Sequence, residues 1–310
     1  MKILISGGAG FIGTKLIKKL INSNEIIVLD NFLEQIHGTS PVLIDGVKYI
    51  KGDVRNESDW NTCFDYDPDV ILHLASETGT GQSMDEINRY TTTNIVGTSI
   101  LLDVLNNRKN NVKKLVLSSS RAVYGDDDNI ETNDSLKPKS IYAVTKLTQE
   151  LLIKTGCNIP YTILRYQNVY GDGQSLNNPY TGIISIFSNN LHKGLPIEIY
   201  DNGKPTRDFI YVEDVVDATI MCLDNGISDF KLYNVGTGKE TSILEIANKL
   251  NNLFGNKSEI KITDYHRSGD IMYAKANVTK IKKDLNWSYK FDINYGLNEF
   301  YNWFLTKNKK

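Results

Sequence analysis

Short apolar runs alternate with amphipathic stretches along the first half of the chain. The runs are rich in Val, Ile and Leu and nearly continuous, as expected of parallel strands covered on both faces. They predict strands over Lys2–Ser6, Ile26–Leu29, Lys48–Ile50, Val70–Leu74, Lys114–Ser118 and Tyr161–Leu164. The amphipathic stretches predict helices over Phe11–Asn22, Ile87–Leu105 and Tyr142–Lys154. This alternation indicates right-handed βαβ units and an α/β fold with a doubly wound parallel sheet.

The pattern changes after residue 170. Gly, Asn, Pro and Tyr become frequent over Gly171–Thr181, which predicts a long functional loop. Beyond it, the chain mixes predicted helices with short strands. The helices are Ile183–Lys193, Glu213–Leu223, Ile243–Leu253 and Ile293–Phe304, and the strands lie near Ile197–Tyr200 and Leu232–Val235. We therefore predict a first domain over residues 1–170, to which segments near 205–240 return, and a smaller mixed α/β domain over residues 171–310.

Composition narrows the classes of function. The chain has 310 residues and a formal net charge of -2, so it carries no overall attraction for a polyanion such as nucleic acid. No apolar run approaches the roughly 18 to 20 residues that span a bilayer. The three cysteines are scattered without a CxxC pair, which favours buried thiols in a reducing compartment over disulfides or a metal site. We expect a cytoplasmic protein with no metal, no membrane contact and no nucleic-acid partner.

A glycine-rich turn follows the first predicted strand. Its G-x-x-G-x-x-G spacing comes just where a helix pattern opens, which suits close approach of a pyrophosphate to helix N-terminal amides. Isolated glycines are usually turn residues, but the strand before and the helix after favour a nucleotide site here. The cofactor-binding residues predicted from this segment are Gly7, Gly10, Phe11, Ile12 and Gly13.

Asp30 ends the second predicted strand and is followed by Asn31. A carboxylate at this place accepts hydrogen bonds from an adenosine ribose 2′-hydroxyl and repels a 2′-phosphate, which favours NAD over NADP. The alternative is an Asp that caps a turn. Asp53 and Val54, after the third strand, are predicted to bracket the adenine, although an Asp in a turn explains that position nearly as well.

A second group of residues points to proton transfer. The fifth strand ends in Ser118, Ser119 and Ser120, and Tyr142 and Lys146 lie four residues apart on a later predicted helix, where they share a face. A nearby ammonium and a cationic nicotinamide favour the phenolate, so Tyr142 is a candidate base. Ser120 is placed to hydrogen-bond a substrate oxygen or that phenol. The Tyr-x-x-x-Lys pattern alone is common, but its place after a nucleotide turn and a serine-ending strand favours catalysis.

Together these motifs resemble the extended short-chain dehydrogenase/reductase family, in its NAD-dependent sugar epimerase/dehydratase branch. The resemblance runs from Met1 to about Phe304 and also rests on His73-Leu74-Ala75, Leu164–Gly171, Arg207–Asp214 and Arg267–Asp270. It implies a Rossmann-type sheet with a C-terminal nucleotide-sugar domain. It implies a catalytic trio of Ser120, Tyr142 and Lys146, further cofactor contacts and contacts with the substrate diphosphate. The further cofactor residues are Leu74, Ala75, Asn94 and Ser118, and the diphosphate residues are Asn168, Arg207 and Arg267, where surface salt bridges are the alternative for either arginine.

Two positions after Ser120 discriminate among the reactions of this family. Sugar 4,6-dehydratases carry Asp-Glu there, and nucleotide-glucuronate decarboxylases carry Glu at the second place, whereas this chain has Arg121 and Ala122. A 4-epimerase requires no such carboxylate, so we predict epimerisation at C4 of a nucleotide-activated hexose or 6-deoxyhexose, with NAD regenerated in each turnover. The alternatives are a reductase or dehydrogenase with net hydride transfer and a non-catalytic nucleotide sensor. Room for the sugar is expected at Gly79-Thr80-Gly81.

The segment around residues 77–84 resembles dTDP-L-rhamnose 4-epimerases more than UDP-glucose 4-epimerases, so the substrate is expected to be a UDP- or dTDP-hexose. Thr78, Thr80 and Gln82 either hydrogen-bond sugar hydroxyls or form a polar turn, and His37 is expected to be a loop residue instead of an acid. The family resemblance further implies a homodimer that packs helices 87–105 and 142–154 into a four-helix interface.

Overall fold

The structure is a computed structural model that describes residues 1–39, 41–126, 136–180, 182–224, 226–256, 258–266 and 270–308. Within these residues, seven strands form one parallel sheet in the order β11-β6-β5-β4-β1-β2-β3. They are β1 (Lys2–Ser6), β2 (Glu25–Asp30), β3 (Lys48–Lys51), β4 (Val70–His73), β5 (Lys114–Ser120), β6 (Tyr161–Tyr166) and β11 (Lys231–Val235). The predicted doubly wound parallel sheet is confirmed.

Helices cover both faces of this sheet. They include α1 (Phe11–Leu20), α2 (Glu34–His37), α3 (Glu57–Phe64), α4 (Thr80–Asp85), α5 (Ile87–Tyr90), α6 (Gly97–Asn107) and α7 (Ile141–Gly156). Successive strand residues point to opposite faces, so Ile3 and Ile5 enter one apolar core while Leu4 enters the other. Burial on both sides explains why the strands appear in the sequence as continuous apolar runs.

Two features of the helical layer differ from the sequence prediction. Helix α3 was not predicted, because its amphipathic pattern is weak. The helix predicted over Ile87–Leu105 is interrupted by a π-helical segment, Thr91–Val96, between α5 and α6. In that segment the Thr92 hydroxyl donates to the carbonyls of Asn88 and Arg89, at 2.8 and 3.2 Å, and so competes with the regular backbone ladder.

The second half is built from short paired strands and further helices. Its strands are β7 (Asn168–Tyr170), β8 (Ile197–Ile199), β9 (Thr206–Arg207), β10 (Phe209–Tyr211), β12 (Thr241–Ser242) and β13 (Ile260–Ile262). Its helices are α8 (Ile183–His192), α9 (Val212–Ile220), α10 (Ile243–Leu253), α11 (Thr279–Leu285) and α12 (Ile293–Lys307). Strand β11 pairs with β6, so a segment from the second half completes the large sheet. Every helix in the described residues is too short or too polar to span a bilayer.

A buried ion pair joins α7 to the middle of the sheet. Glu150 of α7 and Arg165 of β6 are both fully buried, and the Arg165 Nε and Nη2 atoms donate to the two carboxylate oxygens at 2.8 and 2.6 Å. Glu150 also accepts a hydrogen bond from the Ser119 hydroxyl of β5 at 2.6 Å. One carboxylate therefore connects three elements that carry or adjoin Ser120, Tyr142 and Lys146.

We expect Glu150→Gln to lower the free energy of unfolding by about 3 kcal/mol or more, because it removes the carboxylate that pairs with the fully buried Arg165 guanidinium. The measurement is urea unfolding. The matched control is Glu245→Gln, which makes the same change in an exposed ion pair with Lys249 and is expected to cost less than about 1 kcal/mol. Similar losses in the two variants would contradict the role assigned to the buried pair.

Candidate active site

A cavity of about 730 Å³ lies at the carboxyl ends of the parallel strands, where ligands bind in open α/β sheets. Most of the residues that the sequence predicted as site residues line it. From the cofactor prediction these are Gly7, Gly10, Phe11, Ile12, Gly13, Asp30, Asn31, Val54, Leu74, Ala75 and Ser118. From the catalytic and substrate predictions they are Ser120, Tyr142, Lys146, Thr78, Thr80, Asn168 and Arg207.

The glycine turn packs tightly between β1 and α1. Gly7 adopts a positive φ of 71°, and its N–H donates to the carbonyl of Leu29 at 2.8 Å. A β-carbon at Gly7 would lie 2.7 Å from the backbone nitrogen of Ala75, and one at Gly13 would lie 2.5 Å from the carbonyl oxygen of Gly8. Side chains at these two positions would push the loop and helix apart. The turn therefore provides a backbone-lined cradle at a helix N-terminus, which fits a dinucleotide diphosphate.

Asp30 is held rigidly at the end of β2, next to the glycine turn. Its Oδ2 atom accepts from the N–H of Ala9 at 3.0 Å, and its Oδ1 atom accepts from the N–H of Phe32 at 2.9 Å. His37 is not in a loop as expected but in the short helix α2, with Nε2 3.3 Å from Asp30 Oδ1. Asp30 thus caps a turn and lines the cavity at once. Its contact with the ribose stays a prediction.

Ser120, Tyr142 and Lys146 converge on the same part of the cavity. Ser120 ends β5, where its hydroxyl accepts from the N–H of Ala122 at 3.2 Å. Tyr142 lies in the first turn of α7, which is capped by the Ser140 hydroxyl, and its phenol is close enough to the Ser120 hydroxyl for that group to lower its pKa. Lys146 follows one turn later, and its ammonium donates to the Ser76 hydroxyl at 3.4 Å.

The charges of this trio are governed by burial in the ligand-free protein. Burial lowers the pKa of Lys146 to about 7, and the nearby Glu150 carboxylate offsets only part of that effect. Burial also raises the pKa of the Tyr142 phenol, which the hydrogen bond with Ser120 lowers in part. The phenolate favoured in the sequence analysis therefore depends on the positive charge that an oxidised nicotinamide brings to the site.

Two glutamines that the sequence analysis did not single out as ligands also line the cavity. Gln167 and Gln174 are 6% and 9% exposed, and their amide oxygens have no hydrogen-bond partner among the described residues. Each is seated against a glycine, since a β-carbon at Gly236 or Gly182 would lie 2.5 Å from an atom of the respective side chain. A buried acceptor without a partner is costly, so both oxygens are suited to ligand hydroxyl groups.

Three of the predicted site residues that the structure describes do not line the cavity. Asn94 is buried and bonds the backbone of Glu77, and Asp53 pairs with Arg55. The amide of Gln82 is hydrogen-bonded to Gln35 and Glu86, as in the polar turn that was the alternative to a sugar contact. Sequence spacing identified the right segments here but not the direction of these side chains. Arg267 lies outside the described residues.

Comparison with known proteins agrees with this geometry. A family model described as the NAD dependent epimerase/dehydratase family matches residues 3–236. The chain belongs to that family. It is 32% identical to a dTDP-L-rhamnose 4-epimerase of Burkholderia thailandensis over 97% of this chain and 94% of the relative. It is 32% identical to a putative UDP-glucose 4-epimerase of Methanocaldococcus jannaschii over 99% of both chains.

Solved structures of the family share the whole fold. The UDP-glucose 4-epimerase of Thermotoga maritima, solved with UDP-glucose, has a TM-score of 0.89 and 29% identity, and the match covers 100% of both chains. The predicted membership of the extended short-chain dehydrogenase/reductase family is confirmed, as is the enzyme class. NAD, predicted from the glycine turn and Asp30, is the cofactor of this family.

The depressed pKa of Lys146 makes stability depend on pH. The unfolded chain keeps this ammonium up to its ordinary pKa of 10.5, whereas the cofactor-free protein releases the proton near pH 7. Unfolding therefore takes up a proton between these values, and stability rises with pH through that window. Between pH 7 and pH 9 we expect the wild type to gain about 2 to 3 kcal/mol relative to Lys146→Met.

This difference is measured by urea unfolding of cofactor-free protein at the two pH values. Lys109→Met makes the same change at an exposed position. Its free energy of unfolding is expected to match that of the wild type at both pH values. A gap between wild type and Lys146→Met that stays constant with pH would show that Lys146 keeps its ordinary pKa.

Proposed function

We propose that this protein is an NAD-dependent nucleotide-sugar 4-epimerase that works through a transient 4-keto sugar. The observation that carries the proposal is the make-up of the cavity around Ser120. The proton-transfer trio lies beside the glycine cradle, and Arg121 and Ala122 line the wall where dehydratases and decarboxylases of the family carry carboxylates. This site has the groups for oxidation and reduction at one carbon and lacks those for loss of water or carbon dioxide at these two positions.

The chain's own residues handle the proton. Ser120 and Tyr142, which line the same cavity, orient the C4 hydroxyl, and Tyr142 accepts its proton, with Lys146 stabilising the phenolate. Bound NAD supplies a hydride acceptor and donor at C4. Inversion requires the keto-sugar to present its other face, and Tyr142 then returns the proton to the C4 oxygen. No net NADH is formed.

The cavity has space for such a rotation. Gly81 lines it, and a β-carbon at that position would find no atom within 4 Å. Gly79 is different, because it packs against Tyr180. We assign Thr78, Thr80 and the two cavity glutamines to the sugar, and Asn168 and Arg207 to the diphosphate. Part of the Arg207 guanidinium is already oriented by the carbonyl of Thr206 at 2.8 Å.

Proton NMR with UDP-glucose, UDP-N-acetylglucosamine and dTDP-L-rhamnose in separate tubes, each with catalytic NAD only, tests this proposal. We expect one of them to give the C4-inverted sugar without net NADH. Tyr142→Phe removes the proton acceptor at nearly unchanged volume and is expected to reduce the rate by at least about 100-fold. If the protein instead converted a 4-keto sugar, and only with stoichiometric NADH, it would be a reductase and not an epimerase. A Tyr142→Phe variant as active as wild type would rule out the assigned base.

We further propose that two copies of the chain associate through α5, the π-helical segment and α7. These adjoining helices expose apolar side chains, with Ile87 and Leu151 each 52% exposed and Val96 and Val144 at 40% and 42%. Val144 and Leu151 lie two turns apart and so share a face of α7. Apolar groups on neighbouring helices are suited to a four-helix contact between equal partners.

Light scattering after gel filtration tests this association. Val144→Glu with Leu151→Glu is expected to convert a dimer of about twice the chain mass into a monomer, because both charges would be desolvated in the contact. The matched control is Val42→Glu, at a valine that is 66% exposed elsewhere on the surface. A monomeric wild type, or a double variant that remains dimeric, would contradict the proposal.

A further inference from the structure

Residues 172–180 form a segment, here called the strap, that leads from β7 towards α8 and belongs to the second half of the chain. Several of its side chains line the cavity, among them Gln174, Ser175, Asn178 and Tyr180. The sequence pattern predicts a functional loop here but does not indicate which function it has. Its contacts with the cofactor-binding half suggest one.

The strap begins on the helix that carries the glycine turn. Asp172 forms an ion pair with Lys15 of α1, at 2.5 Å. The next residue passes beside Phe11 at the start of that helix, since a β-carbon at Gly173 would lie 3.7 Å from the Phe11 ring. Asp172 also accepts from the hydroxyl of Tyr211, in its own half, at 2.9 Å. The first part of the strap is therefore fixed over the N-terminal end of α1.

The middle of the strap reaches the opposite side of the cofactor cradle. Asn178 is 6% exposed, and its Oδ1 atom accepts from Nε2 of Gln35 in α2 at 3.1 Å and from the N–H of Tyr180 at 3.0 Å. Gln35 belongs to the short helix that follows Asp30. A single hydrogen bond thus links the strap to the wall that carries the candidate ribose carboxylate.

Gln35 is itself held by a polar network. Its amide exchanges two hydrogen bonds with Gln82, at 2.9 and 3.2 Å, and its oxygen also accepts from Arg89 at 3.2 Å. Arg89 in turn pairs with Glu77 and Glu86, at 2.8 Å each. The same network engages the amide of Gln82. The network fixes the donor that meets Asn178, so the bond forms between two restrained side chains.

The strap ends against the loop after β4. A β-carbon at Gly79 would lie 3.2 Å from that of Tyr180, so the backbone of Gly79 and the strap are in direct contact. Between residues 172 and 180 the strap therefore contacts α1, α2 and the loop after β4 in turn. These elements directly follow or contain the glycine turn, Asp30 and Leu74-Ala75.

We propose that the strap is a cofactor-retaining device, in which the hydrogen bond between Gln35 and Asn178 controls how quickly NAD leaves the cavity. A dinucleotide in the cradle would lie beneath a segment that contacts three surrounding elements. The hydrogen bond between Gln35 and Asn178 must break before the cofactor can leave. The inference depends on cofactor binding and not on the reaction proposed for the sugar. Its test therefore gives a result that is independent of whether the protein is an epimerase.

The experiment measures cofactor release without any sugar. Protein loaded with NADH is mixed with excess NAD, and the decay of bound-NADH fluorescence gives the release rate for the wild type, Gln35→Ala, Asn178→Ala and the double variant. We expect about three- to tenfold faster release in each single variant, as one net hydrogen bond implies. The double variant is expected within about twofold of the faster single variant, because both changes remove the same bond.

Lys19→Ala is the matched control. Lys19 also connects α1 to the second half, through Glu213 and Asp217 of α9, but it neither touches the strap nor lines the cavity. It is expected to release NADH within twofold of the wild-type rate. The two single variants remove the donor and the acceptor of the same hydrogen bond. If Gln35→Ala acted only by disturbing α2, the release rate of Asn178→Ala would equal that of the wild type. Single variants within twofold of wild type, or effects that multiply in the double variant, would overturn the proposal.

Discussion

The buried carboxylate of Glu150 is the interaction on which the site depends most. It neutralises Arg165 inside the sheet, accepts from Ser119 on β5 and lies one helical turn beyond Lys146 on α7. The Arg165 guanidinium also stacks on Tyr124, whose hydroxyl donates to Asn234 of β11 at 2.7 Å. A buried pair gains little net free energy compared with an apolar core, but its hydrogen bonds allow few alternative arrangements. It therefore sets the register between α7 and the end of β5, where Ser120 meets Tyr142.

The cavity combines two different physical environments. At the glycine turn, backbone amides and a fixed carboxylate create a polar cradle. At the trio, burial lowers the pKa of Lys146 and raises the pKa of Tyr142, so in the ligand-free protein it favours the neutral form of both groups. This arrangement links the chemistry to cofactor binding, because a resident oxidised nicotinamide favours the phenolate. The strap completes the arrangement by closing the cradle from the second half of the chain.

The sequence predicted the strands, the glycine turn, Asp30 and the trio because each follows from a local pattern or a short spacing. It did not predict α3, whose amphipathic pattern is weak, or the π-helical break over Thr91–Val96, which has no counterpart in the hydrophobic pattern. Side-chain direction was the main source of error. Gln82 turns towards Gln35, and Gln167 and Gln174 turn into the cavity, through packing against segments distant in the chain. Such contacts leave no periodic signal in the sequence.

The proposed epimerisation requires that hydride passes from C4 to the bound cofactor and returns from the same cofactor molecule to C4. Mass spectrometry of the product from a nucleotide sugar deuterated at C4, incubated in ordinary water with catalytic NAD, tests it most directly. We expect a C4 epimer that retains its deuterium, with no deuterium accumulating in free NADH. Loss of the label to solvent, or its transfer to stoichiometric NADH, would contradict it.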